Sequence, residues 1–407
     1  MLTGQMIALL CALLCLSIIT RETSLFILAL AMLVASLLSK MWEHYCLERV
    51  EYRRRFSHNR ASFGEEIDLE IEIVNRKLLP LSWLETEDEI PSVLTPSRGR
   101  VGSSYKLGRS LLANLLAFRP YERVRRRYTI PCQARGEHFF GPVRLRSGDL
   151  FGFVSREKDL EVKDSLIVYP RVVPLAQLGL PAANPLGDLR ASSWIFEDVS
   201  RIAGARDYRP GDDLRRIHWP ASARSQKLQS RVYEATIDHK LVIFLDLETG
   251  EGGWTPGYDP DVLELSITSA ASLAKWGLEQ GYQTGIYTNG VHSGKMIPVG
   301  VEPGRGPAQL ERILLALARL QPLVAQRLDQ LLRQQAHGLS YGVTAVLVTP
   351  ALTAQIAGAT AVLRRCGHSV AVILTGRKGI CGPVNGIVVR RVGTPESWRD
   401  IQMLRAE

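Results

Sequence analysis

The chain has 407 residues, of which 46% are hydrophobic and 22% are charged. This length predicts two or three domains, and the balance of apolar and charged residues excludes a largely disordered chain. The formal net charge of +9 suits an anionic neighbour, either phospholipid or nucleic acid, without selecting one. The six cysteines form no Cys-x-x-Cys pair, which argues against a zinc site or a disulfide framework.

Two apolar segments, residues 6–20 and 25–38, open the chain and are separated by a short polar turn. With their flanking residues each reaches roughly 18 residues, which is close to what a helix needs to cross a bilayer. We therefore predict that residues 1–42 form a transmembrane helical hairpin in contact with membrane lipid. The alternatives are a cleaved signal peptide, whose basic start is missing here, and a helical hairpin in a soluble core.

The distribution of basic residues predicts the orientation of this hairpin. Lys40 and five arginines between residues 49 and 60 follow the second segment, whereas the turn carries only Arg21. The positive-inside rule then places the amino terminus and the bulk of the chain in the cytoplasm. We expect a two-pass protein of the cell (inner) membrane.

Residues 43–175 are predicted to form a small β-sandwich-like module. Within it, residues 67–73 alternate between apolar and acidic side chains, which is typical of a strand with one buried and one solvated face. Other short strand candidates follow, but residues 92–118 are interpreted as a long loop. The basic run 119–127 lacks interleaved aromatic residues, so it favours a solvated strand face or a lipid-facing surface, and we expect no nucleic-acid partner.

Residues 176–200 are rich in Pro, Ala, Leu and Gly without a period, which indicates a linker. In residues 201–407 apolar strands alternate with amphipathic helices, a pattern that predicts a mainly parallel sheet with helices on both faces. The predicted strands are 241–246, 282–288, 343–348, 370–374 and 387–392. The predicted helices are 263–278, 310–320, 324–337, 353–366 and 395–403. Ligands of such sheets bind beyond the carboxyl ends of the strands, where Asp246 stands.

The segment 204–228 combines a Pro-Gly turn, alternating acids and arginines, and a His-Trp pair. The favoured interpretation is a structural or partner-docking segment in which the ring of Trp219 is buried. Its ion-pair network would consist of Asp212, Asp213, Arg215, Arg216 and Arg224. The alternative is a hydrolase that uses Asp212 or Asp213 with His218 as acid and base, although no Gly-x-Ser-x-Gly motif supports it.

Asp246 is also a candidate metal ligand. A carboxylate at a strand end with hydroxyl residues at alternate positions after it can hold Mg²⁺, because hard cations prefer oxygen ligands. Here those positions are Glu248 and Gly250, and Thr249 is out of phase. We therefore expect no cofactor, with Mg²⁺ at Asp246 as the alternative. The sequence has no P-loop, Gly-x-Gly-x-x-Gly or His-Glu-x-x-His motif, so neither nucleotide binding nor a zinc hydrolase is supported.

One composite motif resembles a known family. The spacing Arg206-x-Tyr208-x-x-Gly211-Asp212-x-x-Arg215-x-Ile217-x-Trp219-x-x-x-Ala223-Arg224 is similar to the signature of the bacterial family catalogued as domain of unknown function fifty-eight. Motifs between residues 135 and 170 are also similar to that family. The sequence departs from the usual pattern at Pro220, where a basic residue is common.

The resemblance implies two transmembrane helices, then a small β-sandwich, then an α/β von Willebrand factor A-like (Rossmann-type) domain. It implies a non-catalytic, membrane-tethered adaptor or scaffold in a chaperone-like or envelope-associated complex. The implied partner is a MoxR-type AAA+ ATPase, and a transglutaminase-like membrane protein is a further candidate. The implied signature and partner-docking residues are Arg206, Tyr208, Gly211, Asp212, Arg215, Trp219 and Arg224. Asp246 matches the first position of the family's metal site.

Overall fold

The chain folds as two compact units, Met1–Tyr169 and Pro170–Glu407, which we describe separately. The structure, a computed structural model, describes residues 2–20, 22–149, 154–181, 185, 186, 196–209, 212–236, 239–249, 259–292, 295–376, 387–393 and 398.

Two antiparallel helices open the first unit, α1 (Leu2–Thr20) and α2 (Thr23–Tyr45). Of the described helices, α2 is long and apolar enough to cross a membrane, whereas the apolar stretch of α1, Ala8–Thr20, is shorter. Apolar side chains of α2 such as Ile27 and Leu37 are exposed, as a lipid-facing helix requires. α2 therefore indicates membrane association, and a second crossing by α1 stays a prediction.

The remainder of the first unit is a β-sandwich built from three small sheets. Their strand orders are β1-β3-β7, β10-β9-β4-β6-β5 and β2-β11-β8. The predicted alternation is confirmed, because Ile67, Leu69, Ile71 and Ile73 all point into one apolar core. The strands are β1 (Val50–Phe56), β2 (Arg60–Ala61), β3 (Glu66–Asn75), β4 (Leu81–Pro91), β5 (Arg100–Ser103), β6 (Arg109–Phe118), β7 (Arg123–Pro131), β8 (Gly136–Phe140), β9 (Val143–Gly148), β10 (Ser155–Leu160) and β11 (Asp164–Val168).

Two expectations for this unit were wrong in detail. Residues 92–118 are not a long loop, because they contain β5 and β6, and Leu112, Leu116 and Phe118 alternate into the core. The acidic face of β3 is not simply solvated either. Glu72 is only 3% exposed, and Arg125 Nε donates a hydrogen bond of 2.8 Å to its Oε2.

The basic run is confirmed as a strand face. β7 pairs with β3, and its arginines lie over the acids of that strand. Arg127 Nε donates a hydrogen bond of 2.9 Å to Glu70 Oε2. Opposite charges on directly paired strands stabilise the pairing. The glutamates also neutralise arginines that could otherwise bind an anion.

The second unit is a mixed α/β domain with a hairpin in front of it. Its strands are β12 (Phe196–Asp207), β13 (Gln229–Thr236), β14 (Lys240–Leu245), β15 (Gln283–His292), β16 (Lys295–Gly304), β17 (Leu320–Val324), β18 (Thr344–Thr349), β19 (Ser369–Leu374) and β20 (Val388–Arg391). Its α-helices are α3 (Trp219–Ser225), α4 (Pro260–Glu279), α5 (Pro307–Ala318), α6 (Leu328–Ala336) and α7 (Ala354–Arg365). Two 3₁₀ helices span Leu175–Leu178 and Leu214–Arg216.

A seven-stranded sheet forms the centre of this domain, in the order β16-β15-β14-β18-β19-β20, with β17 paired to β15. Numbered along the chain, the six strands of this path run 3-2-1-4-5-6, the order of doubly wound α/β folds. Strands β15, β14, β18, β19 and β20 are parallel, whereas β16 and β17 run antiparallel to β15. The strand order reverses beside β14, so the carboxyl ends of β14 and β18 flank the switch point.

Helices cover both faces of this sheet. Side chains of α6 and α7 pack on one face together with Val242 and Phe244 of β14. On the other face α4 lies so close that a Cβ on Gly277 would stand 2.5 Å from Leu241, which explains why the helix carries glycine there. The predicted mixed α/β fold is thus confirmed.

Three features of the second unit differ from what the sequence predicted, and one predicted helix is not tested. The predicted helix 324–337 begins only at Leu328, because the strand β17 precedes it. β16 was not predicted, since Pro298 and Pro303 interrupt its pattern, but prolines are tolerated on an edge strand. The predicted linker contains the end of the first 3₁₀ helix, with Leu178 buried, and the start of β12. The predicted helix 395–403 lies outside the described residues except for residue 398.

Candidate functional site

The signature segment forms the tip of the β12–β13 hairpin. The two strands pair antiparallel as far as Asp207 and Gln229, and Tyr208 N donates a hydrogen bond of 2.9 Å to Leu228 O. Between these ends lie the 3₁₀ helix Leu214–Arg216 and the short helix α3. The segment is therefore an elaborated hairpin loop that is closed by backbone hydrogen bonds.

Asp212 closes the first turn of this loop. Its Oδ1 accepts a 2.6 Å hydrogen bond from Arg206 Nη2, and its Oδ2 accepts one of 3.0 Å from Arg209 N. The guanidinium of Arg206 and the amide of Arg209 hold the pKa of Asp212 below its usual range. Gly211 lies outside the described residues, so its role in the turn stays a prediction. The two signature residues Arg206 and Asp212 are brought together.

His218 caps α3 and ties it to β13. Its Nδ1 accepts a 3.1 Å hydrogen bond from Ala221 N, and its own amide donates one of 2.8 Å to Gln229 O. Ser222 Oγ donates to His218 O and accepts from Gln229 N. In the described part of the loop no hydrogen bond joins His218 to Asp212, so the arrangement does not pair them as acid and base.

The tip exposes apolar and cationic side chains. Trp219 is 65% exposed and Leu214 is 68% exposed, which corrects the expectation that the tryptophan ring is buried. The physical reason is that α3 is only seven residues long and has no buried residue. Arg215 and Arg224 have no ion-pair partner within 4 Å among the described residues, so these two arginines do not join the predicted network. Asp212 instead pairs with Arg206, which was not predicted as a member of it.

A second cluster lies at the carboxyl edge of the sheet. Asp246 follows β14 and is 3% exposed. Its Oδ1 accepts hydrogen bonds from Asn289 Nδ2 at 2.8 Å and from Glu248 N at 3.1 Å, and Thr349 Oγ1 lies 2.8 Å from its Oδ2. Burial raises the pKa of Asp246 to about 6, although these hydrogen bonds oppose the shift.

Sequence reasoning missed Asn289 and Thr349 as members of this cluster. Each stands directly after a stretch predicted as a strand, 282–288 and 343–348. Because neighbouring parallel strands end at one edge, polar residues at successive strand ends are a signal that could have found both. Asn289 Oδ1 also accepts a hydrogen bond of 2.9 Å from Leu247 N, so this amide, which lies within β15, is joined to the chain that follows β14.

These residues do not fit a metal site. Both side-chain oxygens of Asp246 already take part in hydrogen bonds, and Asn289 directs its amide nitrogen, a poor metal ligand, towards the carboxyl group. No group of three or more His, Cys, Asp or Glu side chains within the described ranges is placed to hold a metal ion. The cluster is a buried hydrogen-bonded group of polar side chains that links the ends of β14 and β18 to a position within β15.

Comparison with known proteins identifies the class of this domain. Residues 204–391, from the hairpin to the end of β20, match the family model described as "Protein of unknown function DUF58". The "Uncharacterized protein YeaD" of Bacillus subtilis (strain 168) is 24% identical over 248 residues, which are 60% of this chain and 57% of that protein. Residues 204–391 therefore belong to the DUF58 family, and the sequence match spans little more than half the length of this relative.

Solved structures resemble only parts of the chain. A β-glucosidase from Listeria innocua is 12% identical, with a TM-score of 0.19, over 29% of this chain and 16% of its own. The CARDB domain of the PF1109 protein from Pyrococcus furiosus is 9% identical, with a TM-score of 0.20, over 30% of this chain and 90% of its own. The C-terminal domain of wzt is 8% identical, with a TM-score of 0.20, over 30% and 73%. Similarity this low carries no argument about fold or function.

Proposed function

We propose that this protein is a non-catalytic, membrane-tethered adaptor that binds a partner protein through the tip of the β12–β13 hairpin. The observation that supports the proposal is the exposure of Trp219 and Leu214 beside Arg215 and Arg224. Tryptophan and arginine are the residue types that most often dominate the binding energy of protein interfaces. Exposed apolar side chains that lie together are a common mark of such a surface.

The partner we propose is a MoxR-type AAA+ ATPase, which the family resemblance implies. The chemistry of the tip calls for a partner surface with an apolar pocket for Trp219 and carboxylates around it, since Asp212 is already paired within the loop. A transglutaminase-like membrane protein is a further candidate member of the same chaperone-like or envelope-associated complex.

The finer architecture belongs to the same proposal. The strand order with an antiparallel edge strand, β16, supports a von Willebrand factor A-like domain. The apolar helix α2 and the basic residues that follow it support an inner-membrane protein with a cytoplasmic bulk. The two-pass arrangement further requires that α1 crosses the membrane.

The alternatives have less support. A hydrolase that uses Asp212 and His218 would need the two side chains to meet, but Asp212 is held by Arg206 and His218 by α3. Metal-dependent protein binding through Asp246 would need free ligand positions, and the carboxylate is enclosed by hydrogen bonds.

Co-purification tests the proposal. The tagged full chain is extracted from native membranes in mild detergent, and the bound ATPase is measured. We expect Trp219→Ala and Leu214→Ala to lose the ATPase, because each removes an exposed apolar anchor. The matched controls Tyr105→Ala and Leu323→Ala remove an exposed aromatic and an exposed leucine side chain elsewhere and should retain the ATPase. Absence of the ATPase from the wild-type sample, or its full retention by both tip variants, would contradict the adaptor function.

A further inference from the structure

The loop between β3 and β4 of the β-sandwich is fastened to the carboxyl-terminal end of α2 by Lys77. Lys77 Nζ donates hydrogen bonds of 2.9 Å to Tyr45 O and to Glu48 O, and a third to Cys46 O. A lysine is well suited to this place, because the last carbonyls of a helix have no partner within the helix and carry partial negative charge. Burial lowers the pKa of Lys77 to about 8, and the charge of nearby Lys158 adds to that effect.

The level of this contact relative to a bilayer follows from the length of α2. A crossing of the hydrocarbon core takes about 20 residues, which from Thr23 extends to Trp42. The sandwich already contacts the helix before that point, since Ser39 Oγ donates a buried hydrogen bond of 2.9 Å to Asp149 Oδ2 and Trp42 packs on the sandwich core. If α2 spans the membrane, this end of the sandwich lies at the level of the lipid headgroups.

At this end the sandwich exposes apolar side chains. Leu78 is 75% exposed and Tyr121 is 69% exposed. Their loops are joined, because Tyr121 N donates to Lys77 O at 3.2 Å and Asn75 Nδ2 donates to Leu79 O at 3.0 Å and to Arg119 O at 3.1 Å. Tyr121 has a φ of 53°, a left-handed conformation that is unfavourable for a tyrosine, and the residue is nevertheless mostly exposed.

Cationic residues lie on or beside the same loops. Arg49 is exposed, and its carbonyl accepts a 3.0 Å hydrogen bond from Arg76 N beside the same loop. Arg119 lies two residues before Tyr121, and Lys158 lies near Lys77. Throughout the described ranges, the side chains of Arg49, Arg119 and Lys158 have no ion-pair partner within 4 Å. We call Arg49, Leu78, Arg119, Tyr121 and Lys158 the juxtamembrane rim.

We propose that Leu78 and Tyr121 insert into the interfacial layer of the bilayer, and that Arg49, Arg119 and Lys158 bind the phosphates of anionic lipids. Tyrosine and cationic side chains are the types that prefer this layer, the former for its amphipathic ring and the latter for the negative surface potential. The proposal rests on the membrane anchoring by α2 that forms part of the proposed function. Its consequence is that the sandwich is held at a fixed tilt on the membrane by a second contact.

Photo-crosslinking to lipid tests the rim. The full chain is reconstituted in nanodiscs of phosphatidylethanolamine and phosphatidylglycerol, with p-benzoylphenylalanine in place of Leu78 or Tyr121. The matched controls are Leu107 and Tyr105, which are as exposed but lie at the other end of β6. The ten residues of that strand separate the two ends by about 33 Å. Leu30, on the exposed surface of α2, reports membrane insertion.

We expect lipid adducts at positions 30, 78 and 121 and severalfold fewer at 105 and 107. Adducts at position 30 without adducts at 78 and 121 would overturn the rim but leave the anchor intact. No adduct at position 30 would overturn the anchor and the rim together. Equal adducts at all sandwich positions, or a crosslink from 78 or 121 to a second copy of the chain, would also overturn the rim.

Changing the lipid composition of the nanodisc tests whether the charge of anionic lipid contributes to binding at the rim. Replacing phosphatidylglycerol by phosphatidylcholine should lower the adduct yield at position 78 severalfold while leaving the yield at position 30 unchanged. An equal yield at position 78 in both lipids would overturn the assignment of anionic lipid as the ligand of the three cations.

Discussion

The hydroxyl of Thr349 lies 2.8 Å from Oδ2 of Asp246 and 2.9 Å from the carbonyl of Ala351. A hydroxyl has one proton, so it cannot donate to both acceptors at once. If Asp246 is protonated, its carboxyl donates to Thr349, and Thr349 donates to Ala351. The neutral acid therefore satisfies every partner, which agrees with the raised pKa of Asp246.

The first prediction concerns the pH dependence of stability. Because the pKa of Asp246 is about 6 when folded and near 3.8 when unfolded, the folded state binds this proton more tightly. The contribution of this protonation to the free energy of unfolding is fully present below pH 3.8 and is lost as the pH rises through 6. It amounts to about 3 kcal/mol at most. Asp246→Asn mimics the neutral acid and does not titrate. The melting temperature of this variant relative to that of the wild type should therefore rise between pH 4 and pH 7. If the melting temperatures of the wild type and of Asp246→Asn change equally with pH, the raised pKa of Asp246 is contradicted.

The second prediction concerns the hydroxyl of Thr349. Thr349→Val leaves buried polar groups without their partner and should cost about 1–3 kcal/mol of stability. Thr268→Val is the matched control, because the Thr268 hydroxyl is buried and has no hydrogen-bond partner among the described residues. That variant should be neutral or more stable. Melting temperatures of the full chain in detergent provide the comparison, and an equal effect of the two substitutions would contradict a bridging role for Thr349.

The third prediction concerns magnesium. Since the oxygens of Asp246 are occupied by hydrogen bonds, millimolar Mg²⁺ should not change the melting temperature. Binding with a millimolar dissociation constant would add about 1.4 kcal/mol at a tenfold excess of ligand, so the measurement is sensitive enough. A rise that is seen in the wild type and lost in Asp246→Asn would show that the cluster binds the ion after all.

The fourth prediction concerns the joint between α2 and the sandwich. Lys77→Met keeps the length of the side chain but removes the donor to three carbonyls at the end of α2 and in the turn that follows it, which should cost about 1–3 kcal/mol. The control Lys163→Met removes an exposed lysine that only pairs with Glu161 and should have little effect. If thermal melting in detergent shows equal stabilities, Lys77 does not fasten the helix end.

The central strands of the sheet were predictable from the sequence. β14, β18 and β19 are short apolar runs with little polar interruption, and burial on both faces leaves such runs few other structures. The alternation of apolar and acidic residues also made β3 predictable, because one face of this strand packs in the core and the other carries charge. Edge strands such as β16 were missed, since half of their pairing surface is free and their sequences tolerate proline.

The surface of the candidate site was not predictable in the same way. A tryptophan beside a short helix is usually covered, and only the fold shows that no element covers Trp219 in the described structure. The pairing of Asp212 with Arg206 likewise depends on the conformation of a turn, which the pattern of charges in the sequence does not determine. In contrast, the position of Asp246 at a ligand-binding edge followed from topology alone.

The affinity of the reconstituted full chain for a purified MoxR-type ATPase tests the adaptor function most directly. The adaptor account predicts saturable binding to nanodiscs that contain the wild-type protein. Trp219→Ala should weaken this binding at least about tenfold, as the loss of an interface hot spot does, whereas Tyr105→Ala should leave the dissociation constant unchanged. No binding by the wild type, or an equal dissociation constant for Trp219→Ala, would contradict it.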